Sequence, residues 1–234
     1  MPTLRAVACD IDGTITDRNR RISLPAIACI RELVDRGIEV VLASGNTACF
    51  LDALARMIGT QGSIIAENGG VWRIGFTGAL QVMGDRAPAR AAYQALEAHF
   101  REKGVTLEPY GERYRFTDFA FARTVSPEEV REVLQDHGVR VIDTGFAIHL
   151  QARGMNKGLA LTRLAAGMGI PVAEFLAAGD SENDLEMIRA AGTGVTVQNA
   201  GDAVKAAARY VSEKRDGEGF VDAVARYRPY FLER

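Results

Sequence analysis

Three short apolar runs, at residues 4–9, 38–43 and 175–178, each stop against a polar loop that carries glycine. The loops are Asp10-Ile11-Asp12-Gly13-Thr14, Ser44-Gly45-Asn46 and Gly179-Asp180-Ser181-Glu182-Asn183-Asp184. A strand that is apolar throughout, rather than on alternate residues, is one buried on both faces, as parallel strands between helices are. Between the first two runs Ser23 is placed to cap a helix whose stripe is Ile27, Ile30, Leu33 and Val34 and whose stop is Gly37. A second helix carries Phe50, Leu51, Leu54, Met57 and Ile58 and closes at Gly59. A third strand over 63–66 then runs into Glu67-Asn68-Gly69-Gly70. This β-α-β-α-β rhythm predicts an α/β fold with a doubly wound, Rossmann-like parallel sheet.

The middle of the chain has a different rhythm. Residues 71–83 predict a hairpin, and 86–103 a helix with Ala92, Tyr93, Leu96 and Phe100 on one face. Strands are expected near 105–109 and 115–122, with Phe116, Phe119 and Phe121 in the core of this segment. Ser126-Pro127-Glu128-Glu129 reads as a capping box opening a helix that stops at Gly138. Strands near 139–143 and 146–151 follow. The order α-β-β-α-β-β suits a small antiparallel sheet carrying two helices. Beyond it the alternation returns, with helices at 156–168, 182–191, 202–209 and 219–228 and strands at 175–178 and 194–197. The expected organisation is a Rossmann-like core made of 1–82 and 153–234, interrupted by an inserted α+β cap at 83–152.

Composition narrows the partners. Twenty-eight Lys and Arg against 30 Asp and Glu leave a net charge of −2, without the basic field that attracts nucleic acid. No uncharged stretch approaches the roughly 18 residues that span a bilayer. The opening Met1-Pro2-Thr3-Leu4-Arg5 lacks the apolar run of a secretory signal. Cys9, Cys29 and Cys49 are odd in number and sit among apolar neighbours, as small buried thiols do in a reducing compartment. The expectation is a cytoplasmic protein, monomer or homodimer, acting on a small molecule.

In open parallel sheets, ligands bind where the strands end. Asp10 and Asp12, two apart on an extended backbone, leave the same face, and two carboxylates that close repel unless a proton or a cation joins them. Asp180 and Asp184 are an i, i+4 pair. So many oxygen donors without a Cys/His cluster suit Mg²⁺; His99, His137 and His149 lie outside these loops and lack zinc-ligand spacing. Lys157 opens the helix after the insert and offers a compact positive charge for a phosphate. The plain alternatives are a solvated strand-end pair, an N-cap at Asp180, a surface lysine and a turn at Glu67–Gly70. They explain each feature singly but not their ordered occurrence. Arg18, Arg20 and Arg21 read as solvated surface, with attraction of an anionic substrate as the alternative; Arg113 and Arg115, flanking Tyr114, read as exposed arginines, with a substrate carboxylate as the alternative partner. Together the acidic loops and the lysine support phosphoryl transfer through a carboxylate nucleophile.

These four motifs, in this order and with the insert between the second and third, resemble the haloacid dehalogenase-like phosphatases of the Cof/sucrose-phosphatase-like branch. The likeness runs over essentially the whole chain. It implies Asp10 as nucleophile, forming an aspartyl-phosphate, and Asp12 as acid toward the leaving alcohol and then base toward water. It implies Ser44, Gly45, Asn46 and Lys157 around the phosphate. Mg²⁺ would be held by Asp10, the Asp12 backbone carbonyl and Asp180, with Asp184 as ligand or just behind, and Thr14 and Asn183 in support. The compact insert resembles that of the archaeal-type phosphoglycolate phosphatases, which implies 2-phosphoglycolate as substrate. A sugar-phosphate phosphatase or hexose phosphomutase of the same superfamily is the near alternative. A receiver-type signalling domain phosphorylated on aspartate is the distant one, although receivers lack both the insert and the second acid.

Overall fold

The structure is a computed structural model that describes residues 3–232. The chain forms two compact units, one built from the residues up to Gln81 and from Asn156 onward, the other from Val82–Met155.

The first unit is an eight-stranded sheet. Its first half runs β1 (Ala6–Asp10), α1 (Leu24–Asp35), β2 (Glu39–Ala43), α2 (Ala48–Ile58), β3 (Ile64–Ala66), β4 (Val71–Arg73) and β5 (Gln81–Val82). The other unit runs α3 (Ala87–Glu102), β6 (Asp118–Ala122), α4 (Pro127–Val133), β7 (Val139–Asp143) and β8 (Ala147–Ala152). The first unit then resumes with α5 (Lys157–Met168), β9 (Phe175–Gly179), α6 (Leu185–Ala190), β10 (Thr193–Thr196), α7 (Asp202–Ala207), β11 (Tyr210–Val211) and α8 (Asp216–Tyr227). The strand order is β11-β10-β9-β1-β2-β3-β4-β5. The first six of these are parallel, and β4 is antiparallel to β3. The chain builds outward from β1 in one direction through β2 and β3 and later in the other through β9, β10 and β11. The crevice at the carboxyl end of β1 is therefore the switch point where such sheets bind ligands.

Alternate residues of the central strands feed two different layers. Val7, Cys9, Val40 and Leu42 pack with α1, α2 and α8, whereas Ala6, Ala8, Val41 and Ala43 pack with α5 and α6. Local chemistry sets the helix ends: Ser23 Oγ accepts from the Ala26 amide at 3.3 Å, and α2 closes on Gly59 at φ +98°. The helix expected at 202–209 ends at Ala207, and the short edge strand β11 follows it. Among the described residues no helix is long and apolar enough to cross a membrane.

In the second unit the sheet order is β6-β8-β7, antiparallel throughout. Its core joins Ala92, Tyr93, Leu96 and Phe100 of α3 to Phe119, Phe121, Ile148 and Leu150, with Tyr93 stacked on Phe119 at 4.0 Å. The strand expected near 105–109 is reduced to one bridge, Pro109 with Phe121, flanked by Tyr110 N–H to Ala120 O (2.7 Å) and Ala122 N–H to Glu108 O (2.8 Å). Proline has no N–H, so the ladder ends there and the segment is α-β-α-β-β rather than α-β-β-α-β-β. Phe116 lies outside the core, 46% exposed, because β6 begins only at Asp118. The capping box at α4 is half formed. Ser126 Oγ accepts from Glu129 N–H, but the Glu129 carboxylate turns to His99 Nε2 (2.8 Å) and to Lys103.

Arg115 is not an exposed arginine. Its Nη1 donates to the fully buried Asp118 carboxylate at 2.7 Å, whose other oxygen is 3.0 Å from His149 Nδ1. Burial pushes the Asp118 carboxyl up, but the His149 hydrogen bond and the Arg115 charge outweigh it and hold the group below the usual carboxylate range. A carboxylate lowered by folding stabilises above its unfolded pKa, near 4, and that stability is lost as pH falls through the folded value. Arg115→Met, leaving the buried carboxylate short of one partner, should cost about 3 kcal/mol. Urea unfolding at neutral pH should show the loss, and the wild-type advantage should shrink as pH drops below about 4. A variant as stable as wild type at neutral pH would mean that the pair contributes nothing.

Candidate active site

Asp10 ends β1, in register with Ala43 at the end of β2, and its side chain is almost wholly buried. Lys157, fully buried, is the first residue of α5. The preceding Asn156 caps that helix, its Oδ1 accepting from Leu159 N–H at 2.7 Å. The Lys157 ammonium donates to Asp10 Oδ1 at 2.6 Å and to Asp184 Oδ1 at 2.7 Å. Asp184 Oδ2 accepts from the Asp180 and Ser181 amides, both at 3.1 Å, which folds the loop after β9 into a capping box. Asp180 Oδ1 accepts from Thr14 Oγ1 at 3.2 Å. Oxygens of Asp10, Asp180 and Asp184 lie within 4.8 Å of one another. Gly13, at φ +87°, passes so close that a Cβ there would sit 2.3 Å from Asp180 Oδ2.

The Ser44–Asn46 loop closes the opposite side. Ser44 is buried, with its amide on Ile65 O at 2.9 Å. The Asn46 side-chain amide donates both to Ser44 Oγ and to Asp12 Oδ2, each at 3.0 Å. Asn46 thereby links the Asp12 carboxylate to the serine. Arg18, Arg20 and Arg21 are all exposed as expected, and Arg20 in addition reaches within 3.6 Å of Asp12 Oδ1. Asn183 donates to Asn68 Oδ1 at 2.8 Å. Gly45 lies against the Asn68 amide, 3.0 Å from where its Cβ would be.

One supporting residue escaped the sequence reading. Asn199 donates to Gly13 O at 2.8 Å and accepts from the Asp216 amide at 2.7 Å, tying the loop after β1 to the start of α8, where Asp216 takes φ +49°. The available signal was its place after β10, a fourth parallel strand whose carboxyl end faces the same rim.

The electrostatics are unbalanced. Burial, then the neighbouring Asp184, raise the Asp10 carboxyl well above its usual range despite Lys157. The same two causes push Asp180 up to about 7. Burial alone would discharge Lys157, but the Asp10 and Asp184 carboxylates outweigh it and hold the ammonium above its ordinary range. One fixed cation thus faces three carboxylates, and Asp10 Oδ2 is buried without a hydrogen-bond partner. Hard oxygen donors with an excess of negative charge and an orphaned carboxylate oxygen fit a divalent cation such as Mg²⁺. Both Asp184 oxygens are occupied by Lys157 and backbone amides, which leaves Asp10 and Asp180 as the side chains with oxygens to offer.

Residues 7–75 and 126–224 match the family model described as haloacid dehalogenase-like hydrolase. The chain belongs to that family. Among its relatives, phosphoglycolate phosphatase of Methanoculleus marisnigri is 55% identical over 99% of this chain and 100% of that protein. Phosphoglycolate phosphatase of Methanospirillum hungatei is 50% identical, again over 99% of this chain and the whole of the relative. The crystal structure of Thermoplasma acidophilum protein 0175 superposes with a TM-score of 0.85 at 28% identity, covering 97% of this chain and 99% of that one. This haloacid dehalogenase-like hydrolase is accordingly an enzyme of phosphatase type.

Proposed function

We propose that this hydrolase cleaves 2-phosphoglycolate to glycolate and orthophosphate through an aspartyl-phosphate on Asp10, with Mg²⁺ as cofactor. The observation that carries the mechanism is the Lys157 ammonium shared between Asp10 and Asp184, which holds the first carboxylate at the end of β1 with one oxygen free. The substrate rests on what the 55% and 50% identical relatives are named. In this reading the core is the unit built from both chain ends, and Val82–Met155 is its inserted cap.

Asp10, Asp180 and the Asp12 backbone carbonyl would hold the cation, which when bound supplies a positive counter-charge for the phosphate oxygens. An Asp10 oxygen attacks phosphorus while the phosphorus–oxygen bond to the glycolate breaks, and Asp12 gives its proton to that leaving oxygen. Asp12, now ionised, takes a proton from water as the water oxygen attacks the phosphoryl-aspartate. Orthophosphate leaves and the Asp10 carboxylate is restored. Asn46 and Arg20 aim the Asp12 carboxylate at this task, and Ser44 and Lys157 offer donors to the phosphate oxygens, which costs no reorganisation because each is already fixed.

The test is orthophosphate release across a panel of small phosphate esters, scored by kcat/KM. We expect 2-phosphoglycolate to lead over hexose phosphates and p-nitrophenyl phosphate, over many turnovers, with activity lost in EDTA and restored by Mg²⁺. A hexose phosphate in the lead would overturn the substrate, interconversion without net release would point to a mutase, and a single stoichiometric phosphorylation to a receiver. Asp12→Asn should slow turnover by about 10²–10⁴-fold, the range for a missing general acid and base. Burst kinetics should show phosphoenzyme accumulating because its hydrolysis is the slower half, and no accumulation would deny Asp12 the second role.

A further inference from the structure

Glu67, Asn68 and Gly69 take φ of +50°, +53° and +91°, three successive residues in the left-handed region, and the first two are almost fully buried. Non-glycine residues rarely occupy this region, and a buried run of them persists only where its surroundings hold it. Here the surroundings are the three other loops of the site. Glu67 N–H donates to Asn46 O at 3.0 Å and Asn68 N–H to Ser44 O at 3.1 Å, so the turn carries the Ser44–Asn46 loop on its amides. At Gly69 a Cβ would lie 2.2 Å from Asn156 O and 2.7 Å from Lys157 N, so this backbone presses directly on the start of α5. Through its side chain, Asn68 Oδ1 accepts from Asn183 Nδ2 at 2.8 Å, and Asn183 Oδ1 accepts from Ser181 Oγ at 2.6 Å. The relay runs from the loop that holds Asp180 and Asp184 and stops at Asn68 Nδ2, which is buried beside Gly45 without a partner.

We propose that Asn68 is a positioning residue whose carboxamide, through Asn183, locks the Ser44–Asn46 loop to the Asp180–Asp184 loop at the spacing that phosphoryl transfer needs. The proposal rests on the phosphatase reading above and concerns a residue that the mechanism does not use. Its chemistry explains why asparagine stands there. Glycine would accept the φ but carries no side-chain carboxamide.

Asn68→Gly separates the two roles, because it keeps the left-handed backbone and deletes the amide. Asn183→Ala cuts the same link from the other end. With p-nitrophenyl phosphate and Mg²⁺, each single variant should lose about 10- to 100-fold in kcat with KM changed less than about threefold, as a misplacement of reacting groups does. The double variant should be no worse than the poorer single, since both break one contact. Thermal melts of the metal-free proteins, which do not depend on turnover, should show the same non-additivity. Should Asn68→Gly fail to fold, Asn183→Ala alone decides by the same split. Wild-type kcat in either folded single variant, losses that multiply in the double, or a loss confined to KM would overturn the proposal. A wild type inert toward every ester would sink the phosphatase reading instead, and so the two failures are distinct.

Discussion

Asp10→Asn is expected to abolish turnover, with a loss on the order of 10⁴-fold or more, because a carboxamide is no nucleophile and the remaining residues cannot replace it. Stability should not follow activity. The Asp10 carboxyl is raised by burial and by Asp184, so its charge is a burden on the folded state that Lys157 only partly relieves. A neutral side chain of the same shape removes that burden and leaves Lys157 paired with Asp184 at 2.7 Å. A melting temperature equal to or above that of wild type is therefore expected alongside the lost activity. The covalent step has its own readout: wild-type enzyme quenched in acid during turnover should carry one phosphoryl group, and the variant none. Turnover by Asp10→Asn within tenfold of wild type would remove the nucleophile from its role, whatever the melting curve shows.

Lys157→Met is expected to fail on both counts. The ammonium is fully buried and is hydrogen-bonded to both Asp10 and Asp184. Deleting one partner of a buried ion pair strands the other charge, a cost of about 3–5 kcal/mol, and here two carboxylates are stranded together. Denaturant unfolding in the absence of metal should show that loss. Added Mg²⁺ should recover part of it, since a cation held by the native cluster stabilises by mass action. Turnover should fall by about 10²–10³-fold, as when one fixed donor to a developing charge is removed. A stability change below about 1 kcal/mol would show that the lysine is replaceable by solvent or by protonation of its partners. The contrast between the two variants is the useful result. On the expected results Asp10 would trade stability for chemistry, whereas Lys157 would support both.

Much of this architecture is legible before any coordinate. Non-alternating apolar strands between amphipathic helices fit a sheet covered on both faces, as parallel sheets are, so residues 6–10, 39–43 and 175–179 announce their environment. The loops at their carboxyl ends then point to one rim by the geometry of such sheets. The second unit was harder to read where one residue outweighed a pattern: Pro109 ended a ladder that the surrounding apolar residues favoured, and the late start of β6 left Phe116 exposed.

Pair identities were not legible, because they depend on which side chains meet across large separations. Arg115 and Arg113 look alike in sequence, yet only the first is buried against Asp118. Arg20 resembles its neighbours Arg18 and Arg21, but the left-handed turn at φ +62° brings it toward Asp12. Asn199 carries no signal of its own in the sequence and Asn68 reads only as part of a turn; both become ties between loops when strands far apart in the chain lie side by side. The sequence by itself determined the kind of sheet, the rim on which polar chemistry gathers and the acids available there, because hydrophobic periodicity and strand direction are local properties. Only the tertiary structure decided which acid shares the lysine, which keeps an oxygen free and which amides fix the spacing, because in a buried site charge balance and hydrogen-bond satisfaction are settled over all neighbours at once.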